Sequence, residues 1–252
     1  MFSGIVTGHE GAQFVNHASQ QYDLGTIMVI DDRSYHYVEM GAADSVAGSL
    51  YQAEAPSIHR SVLPVAAAAA VGSREVTLTL KAAAATTASD YKDGYVHIDN
   101  LKTGAAGFGR AYKIKDNVGA AASGTETITL KAAGGLNEAL TTSNTCELVK
   151  HPCMTVVIAA RTAVVVGLAV NVISATQFGW LQIRGPASVQ FDGAVAVNEG
   201  YPVEMSTNHS GEVMVHDVST NSDAAILGVF AGNNVVDETF AFIALDIPGF
   251  GI

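Results

Sequence analysis

From Gly185 to Ile252 the sequence contains no lysine and no arginine, while Asp192, Glu199, Glu204, Glu212, Asp217, Asp223, Asp237, Glu238 and Asp246 give that stretch nine negative charges. Nucleic-acid binding needs basic groups to neutralise phosphates, so this third of the chain is excluded as a nucleic-acid surface. Charge of either sign is scarce elsewhere too, with 15% charged residues against a usual value of about 25%. Only two cysteines occur, Cys146 and Cys153, at a spacing that is neither a CxxC redox motif nor half of a zinc framework. Two buried thiols in a reducing compartment are expected of them. The first ten residues, Met1 to Glu10, lack the charged and apolar segments of a signal peptide, so export by that route is not expected.

Long amphipathic helices are also missing, which argues against the parallel α/β folds that host most cofactor enzymes. The alanine runs 66–70 and 82–85 are shorter than the roughly 12–15 residues an isolated helix requires. The longest apolar run, Cys153 to Ile173, would place Arg161 near a bilayer centre, at a cost of about 2.5–3.5 kcal/mol. Its Val and Ile content instead predicts two buried strands, 155–160 and 163–170, meeting near Arg161.

What the chain does contain is small side chains and strand signals. Ala and Gly make up about a quarter of its 252 residues, a composition that suits closely approaching backbones better than a thick core. Residues 25–30, rich in β-branched groups, and residues 35–40, which alternate apolar and polar groups, lie on either side of the turn Asp31-Asp32-Arg33-Ser34 and predict a hairpin. Residues 76–83 (VTLTLKAA) recur as 126–133 (ETITLKAA), each followed by a Thr/Ser-rich stretch; the alternation predicts two equivalent strands of one sheet. After Arg184 short strands and turns follow every eight to twelve residues, with Gly185-Pro186 read as a turn after strand 178–184. The predicted fold is therefore mainly β, with antiparallel sandwich or barrel modules, little helix and an extended N-terminal arm. The expected division is an arm over 1–22, a β-rich domain over 23–154 containing the near-repeat, and a sandwich or barrel-like domain over 155–252.

Catalytic templates fail at identifiable places. His9-Glu10 opens like a zinc-protease helix, but Gln13 stands where the second histidine belongs and Gly8 and Gly11 would break that helix. Gly104 to Gly109 is neither GxGxxG nor a P-loop, and no GxSxG elbow is present. Asp31-Asp32 and Asp90 to Gly94 read as turns rather than calcium loops, since Lys92 occupies a ligand slot. Asn208-His-Ser210 is a glycosylation sequon without a secretory context. The eight histidines are scattered; His209 and His216, flanking a predicted hairpin, are the pair to inspect for a metal. No catalytic residue, cofactor or metal ligand is assigned. Trp180, the lone tryptophan, is either an interface anchor or a core residue closing a sandwich.

The segments Arg33-Ser-Tyr-His-Tyr-Val-Glu-Met-Gly-Ala42, Tyr91-Lys-Asp-Gly-Tyr-Val96, Gly179-Trp-Leu-Gln-Ile-Arg-Gly-Pro-Ala187, Gly200-Tyr-Pro-Val203, Gly211-Glu-Val213 and Ile226-Leu-Gly-Val229 together resemble capsid decoration, or cement, proteins of tailed bacteriophages, especially marine ones. The resemblance implies a non-enzymatic virion protein, made in the host cytoplasm. It would sit on the outer surface of an icosahedral shell, contacting the major capsid protein and neighbouring copies as a homotrimer, with no nucleic acid or membrane as partner. The arm and first sheet are expected to make shell contacts through Phe2, Ile5, Val6, Phe14 and Tyr22, and Trp180 and Arg184 to help form the oligomer core. The alternatives are a tail, collar or head-fibre base component and a carbohydrate-binding β-sandwich, for which one Trp and scattered tyrosines give a thin aromatic platform.

Overall fold

The computed structural model describes residues 4–99, 109–193, 198–219, 224–232 and 239–247. In chain order β1 (Ile5–Thr7), β2 (Ile27–Ile30), β3 (Arg33–Glu39) and β4 (Leu50–Gln52) come first. Then follow β5 (Leu63–Pro64), β6 (Glu75–Thr79), β7 (Tyr95–Ile98), β8 (Ala111–Asn117), β9 (Thr125–Leu130) and β10 (Thr145–Val149). The chain ends with β11 (Val157–Ile158), β12 (Val165–Ala169), β13 (Phe178–Phe191), β14 (Pro202–Met205), β15 (Val213–Val215), β16 (Gly228–Phe230) and β17 (Thr239–Asp246). Two single-turn 3₁₀ segments, Ala12–Phe14 and Ile58–Arg60, are the only helical elements among the described residues. The mainly β fold expected from the sequence is the fold observed.

The domain division differs from the consecutive one. One compact unit comprises residues 1–55 and 152–252, and residues 56–151 form a second unit inserted between them. The reason lies in pairing: β4, before the insertion, bonds to β11 and β12 after it, so the two flanks share one sheet. A boundary drawn at 154/155 misses this because sequence alone does not show which distant strands pair.

The inserted unit is a six-stranded sheet in the order β5-β10-β7-β8-β9-β6. A bridge between Val65 and Leu78, with the Ala66 N–H donating to the Thr77 carbonyl at 2.8 Å, joins its two edges into a barrel. The near-repeat strands β6 and β9 lie side by side and antiparallel. Their aliphatic face, Val76, Leu78, Ile128 and Leu130, enters the core with Leu63, Tyr91 and Ile114. Each repeat also ends in the same turn: Thr87 N–H and Oγ1–H donate to the Asp90 carboxylate at 2.8 and 2.7 Å, and Thr141 N–H and Oγ1–H to Asn144 Oδ1 at 2.7 and 3.1 Å.

In the other unit the predicted hairpin is present as β2 and β3, turning at Asp31, whose φ is +50°. The apolar run after Cys153 forms β11 and β12, with Arg161 at φ +60° between them; β12 is buried as expected, but β11 is two residues long and both are exposed, because it pairs on one side only, with β4. Strand β13 organises the whole unit. Its first half pairs with β3 and β12, and its second half with β17 and, at Phe191, with β15. The path β13-β15-β14-β16-β17 returns to β13 and closes. Two cores result, one around Phe191, Phe230 and Ile243, the other around Tyr35, Tyr37, Trp180 and Leu181.

Gly185-Pro186 is therefore not a turn between strands but a bend within one strand of 14 residues. Gly185 has φ +93°, and a Cβ there would stand 2.4 Å from the Asp32 carbonyl oxygen. Only glycine lets β13 pass from one set of partners to the other at this point. Replacing it (Gly185→Ala) is expected to cost about 2–4 kcal/mol, since left-handed strain of roughly 1–2 kcal/mol adds to a backbone clash that no rotamer relieves. Chemical denaturation of wild type and variant measures this directly.

Candidate functional site

The described part of the N-terminal arm runs through β1 and the 3₁₀ turn Ala12–Phe14 and lies on its own unit. Strand β1 adds in parallel to β2, pairing Ile5 with Ile27 and Val6 with Met28. His17 exchanges backbone hydrogen bonds with Phe178 at 2.8 and 2.9 Å. Tyr22 then covers Tyr37 and Trp180, with ring centroids 5.2 and 5.3 Å apart, and the Gln21 N–H donates to the Tyr37 hydroxyl at 3.1 Å. Trp180 is 2% exposed. Its assignment to an oligomer core is thus corrected: its ring is consumed by intramolecular packing, because both faces of this half of β13 are covered and the arm's Tyr22 lies over the face that carries Trp180.

The remaining interface candidates separate. Ile5 and Phe14 are exposed, Val6 and Tyr22 are half-buried against the core, and Phe2 lies outside the described residues. Arg184 is exposed and binds Asp246 Oδ1 through Nε and Nη2 at 3.0 and 2.9 Å. Those two residues face each other across β13 and β17. They stand at one end of an outward face that the sequence reading did not single out. Along β17, Ala241, Ile243 and Leu245 point inward, while Phe240 and Phe242 point out and are 57% and 51% exposed. Gln190 and Ser188 lie opposite them on β13, and Pro186 and Val229 flank Ala244. Apart from the Arg184–Asp246 pair, this three-stranded face carries no charge.

The histidine pair flagged for a metal is not brought together. His216 Nδ1 lies 2.8 Å from Glu204 Oε2, while Arg161 Nη1 lies 3.9 Å from Glu204 Oε1 and donates to the Met205 carbonyl at 2.7 Å. Glu204 is fully buried, so this is an internal charge cluster on β14. Arg161 also borders an open apolar recess of about 280 Å³ formed with Val164, Val165, Ala225, Leu227 and Ile247. His209 instead meets Asp192 and Glu212, at the end of β13 and in the loop between β14 and β15.

The other motifs resolve into structure. Glu10, at the false zinc-protease start, pairs with Arg33 and accepts from Gln13 Nε2 at 2.6 Å, and both bonds hold its carboxyl below the usual carboxylate range. Asp93 takes Lys131 Nζ at 3.1 Å. Gly104–Gly107 and Phe108 lie outside the described residues. Cys146 and Cys153 are both buried thiols that share no disulfide and belong to different units, and burial with the nearby Asp99 carboxylate pushes the Cys146 thiol up to about 12. Among the described residues no helix is long and apolar enough to cross a membrane.

His36 sits at the centre of the first unit, with Nδ1 on the Val166 carbonyl at 3.2 Å. Burial lowers its pKa, the Val166 hydrogen bond opposing only part of that shift. An imidazole depressed below its unfolded value near 6.5 binds more protons when unfolded, so stability is complete above that pH and falls as pH drops through it. Denaturation midpoints at pH 7.5 and 5.5 are expected to differ in that sense, and His36→Gln to narrow the difference.

Compared with known proteins, the chain matches no family model, no curated protein and no solved structure. The likeness to phage decoration proteins therefore stands on residue patterns alone.

Proposed function

We propose that the chain is a non-enzymatic structural protein of a tailed-bacteriophage virion, bound to the outer surface of the icosahedral shell and stabilising it through contacts with the major capsid protein and with its own copies as a trimer. The observation that supports this reading best is the uncharged outer face of β17. Two half-exposed phenylalanines stand side by side on a closed sheet, Phe240 with one ring edge over Gly48, and contiguous exposed apolar surface marks contact sites. Both edges of β17 are already paired, with β13 and β16, so the contact is made by side chains rather than by adding a strand. This face takes the part first given to Trp180, with a second copy of the chain as its occupant. The stretch from Gly185 to Ile252 offers no lysine or arginine to nucleic-acid phosphates, which suits a protein on the outside of a shell.

The double substitution Phe240→Ser, Phe242→Ser tests the reading. Light scattering is expected to find wild type as a trimer and the variant as a monomer with unchanged circular dichroism, and cosedimentation with undecorated shells is expected to be lost. A variant that self-associates and binds shells like wild type would remove this face from the account.

A further inference from the structure

We propose that Asp192, His209 and Glu212 bind a divalent transition-metal ion of the zinc class. The three side chains offer one imidazole nitrogen and two carboxylate oxygens that all lie within 4.8 Å of one another. A single atom, His209 Nδ1, faces both carboxylates, at 3.5 Å from Asp192 Oδ1 and 3.6 Å from Glu212 Oε2. Both separations exceed the 2.7–3.2 Å of a good N–H···O bond, and one nitrogen has only one hydrogen to share. They are instead near the roughly 3.3–3.4 Å that separates two ligands on a tetrahedral ion with bonds of about 2.0–2.1 Å.

The surroundings hold two of the three donors in place. Asp192 directly follows β13, is 8% exposed, and its N–H donates to the Val213 carbonyl at 2.8 Å. Its second oxygen, Oδ2, accepts from the Ser206 hydroxyl and from Asn208 Nδ2 at 3.1 Å, which leaves Oδ1 turned toward His209. Ser206 Oγ also accepts the N–H groups of Asn208 and His209, each at 2.9 Å, and so fixes the turn that presents the imidazole. The loop is fastened at Gly211, whose N–H donates to Ala159 at 2.8 Å and whose carbonyl accepts from Leu50 at 2.7 Å. A hydrogen-bonded carboxylate beside a histidine is the outer support that metal ligands require. One nitrogen with two carboxylates selects zinc-like ions over calcium or magnesium, which prefer all-oxygen sites. A bound ion would tie the end of β13 to the β14–β15 loop and so brace the closed ring of strands, whichever assembly the protein serves.

Titration calorimetry of the full, untagged chain with Zn²⁺ tests the assignment. One saturable site is expected, with affinity reduced at least about tenfold in His209→Ala and in Glu212→Gln, and by roughly 10–100-fold in Ser206→Ala, which touches only the support. His209 is half exposed, so its removal leaves the fold intact, and circular dichroism of each metal-free variant checks this. Absence of a saturable site in wild type would overturn the proposal, as would wild-type binding by His209→Ala, which would place the ion on other histidines.

Discussion

Removal of residues 4–22 is expected to lower the melting temperature of the unit built from residues 1–55 and 152–252 by about 10–30 °C. The arm covers Trp180 and Tyr37, and uncovering a large aromatic costs roughly 3 kcal/mol in transfer free energy. Three ring contacts, Tyr22–Tyr37, Tyr22–Trp180 and His17–Tyr37, are lost with it, each worth about 0.5–1.5 kcal/mol. At roughly 2–4 °C per kcal/mol for a domain of this size, the sum gives the stated shift. The core of residues 56–151 contains none of these groups, so a second calorimetric transition should stay where it was. A truncated chain melting like wild type would mean the arm is held only by contacts outside the molecule. The role of the arm in shell binding is therefore better probed by changing exposed Ile5 and Phe14 than by deletion.

The second large effect is expected at Glu126. In the near-repeat this residue occupies the place of Val76, on the inward face of its strand, and it is fully buried. Its Oε1 accepts the N–H groups of Val118 and Gly119 at 3.2 and 3.0 Å, and Oε2 accepts from the Thr86 hydroxyl and from Asn117 Nδ2, the latter at 3.3 Å. Glu126→Ala takes an acceptor from four donors, of which the Val118 N–H, Asn117 Nδ2 and the Thr86 hydroxyl keep a second one in the carbonyls of Thr127, Thr87 and Ala120, at about 1–3 kcal/mol for each donor left buried and unpaired. A loss of about 2–3 kcal/mol is expected in urea denaturation. Glu126→Gln keeps the size but turns one acceptor into a donor facing donors, and should lose less. Stability within 1 kcal/mol of wild type for Glu126→Ala would show that water replaces the carboxylate.

Local pattern was enough to read most strands. Alternation in 76–83 and 126–133, the polar turn at Asp31–Arg33, and the β-branched run broken at Arg161 each reflect a period or a turn contained in a few residues. Long-range pairing was not legible, because nothing near Leu50 announces that it bonds across a 96-residue insertion to β11 and β12. Gly185-Pro186 shows the same limit: glycine followed by proline marks a turn and a bend equally well, and only the partners of β13 decide. The inward or outward sense of Trp180 also depended on the arm lying over it. His209 was visible as a candidate ligand, but the pairing with His216 looked only along the chain. Asp192, which meets it in space, stands before β14 in the sequence while His209 stands after it. The outward pair Phe240 and Phe242 could have been found from the alternation Phe-Ala-Phe-Ile-Ala-Leu, whose phenylalanines share a face opposite Ala241 and Ile243.

The claim that joins these observations is that the molecule works by covering a shell. Cryo-electron microscopy of the virions that carry it, with the copy number of the chain counted against the major capsid protein, tests this most directly. The account predicts β-barrel density over the outer faces of the capsid, in clusters of three and in fixed proportion to the shell protein. Density confined to a tail, a collar or a single vertex, or virions free of the chain, would contradict it.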